Sequence, residues 1–225
     1  MHKRASFQEL QEFVREVYGV PDDRLYSLWD LLAQQQRFSM RALKGIRKGD
    51  RAKLALNLLI SLSWLMNVAN RLHIDVGVEI WKRFPEACSY CGSSPCSCRK
   101  TKLSTRKVFD HGKEPQLQRI SDIQTMFERI YPSSERTLAE AGVHLAEEVG
   151  EVNEAISNYL GQHRDEQLHE IALEMADLIS CICGVANSAD IDIAHELSIL
   201  FKEGCHVCHN TPCSCSFERV ASFTS

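Results

Sequence analysis

Residues 88–98 read CSYCGSSPCSC and residues 205–215 read CHVCHNTPCSC, the same Cys-x2-Cys-x4-Cys-x-Cys frame displaced by 117 positions. Outward from this pair the displacement persists: Val68-Ala69-Asn70 returns as Val185-Ala186-Asn187, and Ile74-Asp75 as Ile191-Asp192. Further upstream an offset of 113 sets Tyr18 against Tyr131 and Ala33-Gln34-Gln35 against Ala146-Glu147-Glu148. A long internal repeat fixes architecture before any local pattern does. The chain reads as a fused pseudo-dimer.

Each copy carries helical periodicity. Leu54, Leu58, Leu62, Leu65, Ala69 and Leu72 are spaced by three or four residues, and Ile171, Met175, Leu178, Ile182 and Val185 nearly repeat the pattern. β-branched alternation is nowhere sustained. The expected fold is all-α, two tandem four-helix repeats forming a pseudo-dimeric bundle, each ending in a four-cysteine metal knuckle. Helices are expected at 6–18, 22–47, 51–72 and 75–84, then at 119–131, 134–160, 165–188 and 191–203. Asp50 and Asp165 are expected as N-caps, with hairpin turns at Gly49 and Gly161. The corresponding domains are 1–98, a linker at 99–118, 119–215 and a tail at 216–225.

With 225 residues, 44% hydrophobic and 25% charged, the composition is that of a globular chain and excludes collagen, low complexity and extreme polyelectrolytes. The formal charge of −4 conceals a split: residues 1–110 hold 19 Lys/Arg against 11 Asp/Glu, while 111–225 hold 7 against 19. The longest apolar run, Leu54 to Leu65, is interrupted by Asn57, Ser61 and Ser63, so no membrane span is expected. The N-terminus turns polar where a secretory signal needs an apolar stretch, and the expected location is cytoplasmic. Ten cysteines in a reducing compartment then point to metal rather than to disulfides.

Acidic chemistry concentrates in the second copy. Glu147, Glu148 and Glu151 form Glu-Glu-x-x-Glu on one long helix, and Glu174 and Asp177 form Glu-x-x-Asp on the next. Residues three and four apart share a helix face, and an antiparallel hairpin brings the two groups to similar height. Clustered carboxylates repel unless protonated or joined by a cation. Their hard oxygens suit Mg²⁺ or Mn²⁺, which would also bind substrate phosphates. The aligned positions of the first copy are Gln34, Gln35, Phe38, Asn57 and Ile60, so only one copy is equipped for this chemistry.

Glu147-Glu148-x-x-Glu151, then 22 residues, then Glu174-x-x-Asp177 resembles the signature of the MazG-like members of the all-α nucleoside triphosphate pyrophosphohydrolase superfamily, over most of residues 119–203. The resemblance implies Mg²⁺-dependent hydrolysis between the α and β phosphates, with Glu147, Glu148, Glu151, Glu174 and Asp177 as metal ligands and one of them activating the water. It also implies a site at a helical dimer interface, which a fused tandem supplies internally. The first copy lacks all five acids, and the cysteine clusters are foreign to the family pattern. One site per chain is expected, walled in part by the degenerate copy. Arg37, Arg41, Lys44, Arg47, Lys48, Arg51 and Lys53 surround the first hairpin, and of these Arg41 and Lys44 are candidate phosphate contacts. Asn187 is a further candidate substrate contact, although its counterpart Asn70 survives in the copy without acids; His144, one turn before Glu147, is a candidate for orienting a ligand. Further dimerisation of the fused pair is expected.

Cys88, Cys91, Cys96 and Cys98, and again Cys205, Cys208, Cys213 and Cys215, can each surround a tetrahedral Zn²⁺ as a closed structural site. An iron–sulfur cluster uses the same four thiolates and competes with that assignment. Cys181 and Cys183 sit on an apolar helix and read as core. Lys100, Lys102, Arg106 and Lys107 follow the first knuckle, which leaves a second class of function open: a non-catalytic zinc-stapled helical module that binds nucleic acid or a protein.

Overall fold

A computed structural model describes residues 1–98 and 119–223; the expected linker, with Lys100, Lys102, Arg106 and Lys107, lies outside the described residues. Among the described residues the chain is mostly helical (72%) and contains no strand.

Helix boundaries follow local capping chemistry. Ser6 and Glu9 form a reciprocal capping box that starts α1 (Phe7–Val14), which continues through a π-helical turn, Arg15–Gly19, into α2 (Val20–Leu25). The single helix expected at 22–47 is therefore divided. Tyr26 is extended, and the Ser27 side chain accepts from the Asp30 backbone N–H while Asp30 returns the bond, starting α3 (Leu28–Lys48). Asp50 caps α4 (Arg51–Arg71) as expected, and Asp75 caps α5 (Val76–Arg83). After α6 (Ile120–Ile130), a second capping box, Thr137 with Glu140, starts α7 (Leu138–Gln162). That helix runs straight through Gly161. The turn falls instead at His163, which adopts φ 53°, and Arg164 rather than Asp165 is the N-cap of α8 (Asp165–Ser188). Asp192 caps α9 (Ile193–Leu200), and Ser216 caps α10 (Phe217–Ser222), a helix where only a tail was expected.

The chain forms two compact units, and these are not the two sequence repeats. One unit is Met1–Ile74 with Asp192–Ser225; the other is Asp75–Ile191. The boundaries expected at 1–98 and 119–215 thus divide the chain differently from its packing. In the first unit α9 packs against α4, and in the second α5 packs against α8. Each unit takes a long hairpin from one repeat and the fourth helix and cysteine cluster from the other.

In the first unit the α3–α4 hairpin is closely packed. A Cβ on Gly45 would lie 2.8 Å from the backbone nitrogen of Leu54, so only glycine lets the helices approach this far. Leu54, Leu58, Leu62 and Leu65 are all essentially inaccessible to solvent. Burying each such side chain contributes about 1.5–3 kcal/mol. In the second unit Phe84 and Phe127 meet edge to face at 5.1 Å, with Tyr131 against the same Phe84 ring. α4 and α8 each contain an 18-residue window of mean hydropathy 1.4, long and apolar enough to cross a membrane, but 78% and 67% of those windows are buried within the protein. Burial of this extent marks them as core helices.

The same clip recurs in both units. Gln11 donates to Asn70 Oδ1 and to the Ile74 carbonyl at 3.2 and 2.9 Å, and Gln124 donates to Asn187 Oδ1 and to the Ile191 carbonyl, both at 2.8 Å. Each asparagine donates back to its glutamine's backbone carbonyl. The clips lock the last turns of α4 and α8 to the first helix of each repeat, α1 and α6.

Candidate metal and substrate site

In the second unit, α7 and α8 bring carboxylate oxygens of Glu148, Glu151 and Glu174 within 4.8 Å of one another. The i, i+3 step places Glu148 and Glu151 on one face of α7, and the antiparallel hairpin sets Glu174 opposite them. Glu174 Oε2 is buried with no hydrogen-bond partner among the described residues. Burial pushes the Glu174 carboxyl up to about 7, and the nearby Asp177 and Glu151 charges push the same way. A cluster of hard oxygens that resists holding its own negative charge fits a divalent cation.

The other two expected ligands stand apart from this trio. Glu147, one residue off the shared face, is exposed. Asp177 is buried and clasped by Arg83, whose Nε and Nη2 donate to its two carboxylate oxygens at 3.1 and 2.5 Å. Arg83 lies on α5, the fourth helix of the first repeat.

Beside the acids is a cavity of about 330 Å³, within the range of small-ligand pockets. Glu148, Glu151 and Asp177 line one side, and Ser89, Tyr90, Cys96 and Cys98 of the first cysteine knuckle line another. The cavity is therefore walled by both sequence repeats, through the first repeat's knuckle. His144 and Arg136 also line it. Arg136 donates to the Tyr131 carbonyl at 3.1 Å, and a Cβ on Gly184 would lie 2.7 Å from its Nη2, so the absent side chain makes room for the guanidinium.

Arg41 belongs to the first unit and donates to the Phe223 carbonyl at 2.8 Å, and Lys44 is exposed on the same helix. Asn187 is held in the Gln124 clip. The cavity's cationic residue is Arg136, with Arg83 behind Asp177, and neither was singled out from the sequence. Arg83 had a signal: positions 83 and 177 are Arg and Asp, while their counterparts at 200 and 60 are Leu and Ile. Cys183 is fully buried and Cys181 partly so, and burial raises both thiols, Cys183 to about 12.

In the first knuckle, Cys96 Sγ lies 3.4 Å from Cys88 Sγ, Cys88 lies 3.7 Å from Cys98, and Cys91 lies 3.9 Å from Cys96. The second knuckle has 3.4, 3.9 and 3.8 Å at the matching pairs. Tetrahedral thiolates about 2.3 Å from one ion sit about 3.8 Å apart, whereas a disulfide needs about 2.05 Å. Both groups therefore suit a single tetrahedral metal ion such as zinc. Backbone N–H groups support the sulfurs: Ser97 donates to Cys91 and Ser214 to Cys208. Burial opposes the Cys91 thiolate, but the Ser97 and Ser93 donors outweigh it and bring its pKa down to about 5. A backbone bond ties each knuckle to its own unit, Cys96 N–H to the Ile130 carbonyl at 2.8 Å and Cys213 N–H to the Val17 carbonyl at 2.7 Å.

No family model, curated protein or solved structure matches this chain.

Proposed function

We propose that the chain is a Mg²⁺- or Mn²⁺-dependent nucleoside triphosphate pyrophosphohydrolase with its one acid site in the second unit. The observation that carries this reading is the convergence of Glu148, Glu151 and Glu174 beside a cavity of about 330 Å³. The MazG-like pattern of the same helices agrees with it.

Glu148, Glu151 and Glu174 would hold the cation, with Asp177 completing the acidic wall. The bound cation supplies neutralisation of the triphosphate charge. Arg136 lines the same cavity and would take a phosphate oxygen. In the reaction, a water oxygen bonds to phosphorus at the α,β anhydride while the bridging P–O bond breaks. Pyrophosphate leaves with that electron pair, a carboxylate takes the water's proton, and a nucleoside monophosphate remains. Tyr90 and Ser89 line the same cavity and would contact the nucleoside end of the substrate. Zinc in both knuckles fits the sulfur spacing and makes the first knuckle a fixed part of the cavity wall.

The test is pyrophosphate release from a panel of ribo- and deoxyribonucleoside triphosphates, using zinc-loaded protein with Mg²⁺. Release that is lost in Glu148→Gln with unchanged helical circular dichroism supports the reading. No release across the panel from folded, metal-loaded protein overturns it in favour of a non-catalytic binding module.

A further inference from the structure

The first unit holds a cavity at the position equivalent to the acid site. Its lining residues Tyr18, Phe38, Ser63, Trp64, Cys213 and Cys215 correspond, at the repeat offsets of 113 and 117, to Tyr131, Glu151, Ser180, Cys181, Cys96 and Cys98 of the acid cavity. The hollow occurs in both units, but where the second has Glu148, Glu151, Glu174 and Asp177 the first has Gln35, Phe38, Asn57 and Ile60. Only about 40 Å³ remains open, because Val220 and Phe223 of the C-terminal segment also line it.

What that segment presents defines a chemistry. The Phe223 ring packs on Phe38 with centroids 6.2 Å apart and meets His206 edge to face at 5.4 Å. Its carbonyl oxygen accepts from Arg41 at 2.8 Å and from Arg37 at 3.0 Å. Both guanidiniums also lie over the Phe38 ring, at 5.4 and 5.3 Å from its centroid. The site thus grips a planar ring on an aromatic floor and an oxygen between two cations. A carbonyl carries only a partial charge. A carboxylate or phosphate oxygen in its place forms charge-assisted bonds roughly twice as strong. Partial burial and the neighbouring Arg37 charge both press on the Arg41 cation, which an anion would relieve.

We infer that the first unit is a second ligand site, selective for an aromatic ring bearing an anionic group, and that Phe223 fills it in cis as an internal mimic of that ligand. The site stands independently of the hydrolytic reading, since every residue in it belongs to the first unit. Trp64 lines the cavity and supplies its own optical signal.

The experiment titrates phenyl phosphate, without Mg²⁺, into the full chain and follows tryptophan fluorescence, with inorganic phosphate as the ring-free comparison. Phe223→Ala is expected to tighten phenyl phosphate binding about tenfold without tightening phosphate. Adding Arg41→Gln to that variant should lose the gain. In the unaltered chain, saturating phenyl phosphate should accelerate hydrogen exchange of the amides at 218–223, a result that does not depend on how any variant folds. Equal affinity of wild type and Phe223→Ala, insensitivity to Arg41→Gln, or unchanged exchange at 218–223 would each overturn the assignment.

Discussion

Arg83 and Asp177 join the fourth helix of the first repeat to the long hairpin of the second through two hydrogen bonds, with side chains only 11% and 7% exposed. The equivalent positions in the other unit hold Leu200 and Ile60. An ion pair in one unit and apolar residues at the equivalent positions of the other distinguish the two fourth helices. Placing Arg83 opposite Ile60 would bury a cation against an aliphatic side chain. Arg83→Leu removes both of these hydrogen bonds from the buried Asp177 and is expected to cost about 3–5 kcal/mol. Arg83→Leu with Asp177→Ile, which copies the other unit, should recover all but about 1 kcal/mol. Denaturant unfolding of the two variants checks this, and a double variant as unstable as the single would exclude this account of the pairing.

Two glycines are expected to respond differently to alanine. At Gly45 the new methyl meets Leu54 backbone, which cannot move alone, and Gly45→Ala should cost about 1–3 kcal/mol of stability. At Gly184 it meets the far end of the Arg136 side chain, which can swing away. Gly184→Ala should therefore cost under about 1 kcal/mol. Its effect should fall on KM for nucleotide rather than on the melting temperature.

Asp22 gives the first unit a pH dependence. Burial pushes its carboxyl up to about 7 although Asn67 donates to it and Arg71 lies nearby. A carboxyl with a folded pKa above its unfolded value stabilises the fold fully below about pH 4, and that contribution is lost as pH rises toward about 7. The ceiling of that contribution is about 4 kcal/mol. Asp22→Asn, which keeps an acceptor for Asn67, should be more stable than wild type at pH 8 and should flatten the decline between pH 4 and 7. Thermal unfolding across that range is the check; a parallel decline in both proteins would show that another group is responsible.

The two knuckles are equivalent in sequence but not in what they wall. Metal analysis should give about two zinc per chain, and both Cys98→Ser and Cys215→Ser should lower it to about one. Only Cys98→Ser is expected to reduce pyrophosphate release strongly, because Cys96 and Cys98 line the acid cavity while Cys213 and Cys215 line the cavity of the first unit. Equal losses from the two variants would mean that the knuckles act through overall stability alone.

Much of this was legible in the residues. The step-of-three-and-four pattern gave the long helices, Asp50 declared its cap, and the repeated cysteine frame announced two metal sites whose sulfurs do converge. The division of the expected helix at 22–47 was written in Ser27-x-x-Asp30, a capping box inside an otherwise continuous apolar period. The exchange of fourth helices was hidden because α5 and α9 bury apolar residues at matching positions, Val76 and Ile80 in one and Ile193 and Leu197 in the other. The paired difference between Arg83 with Asp177 and Leu200 with Ile60 is one feature that distinguishes them. Within the acid site, spacing alone could not separate Glu147 from Glu148. Adjacent residues on a helix point about 100° apart, and which one faces the hairpin partner depends on packing.

Cation binding by the converging Glu148, Glu151 and Glu174 is tested most directly by titrating Mn²⁺ into zinc-loaded protein and counting bound ions by electron paramagnetic resonance. Wild type and Glu147→Gln should bind Mn²⁺ alike, and Glu148→Gln and Glu174→Gln should each weaken it at least tenfold. Mn²⁺ binding that is indifferent to Glu148 and Glu174, or lost with Glu147 alone, would contradict the site described for the second unit.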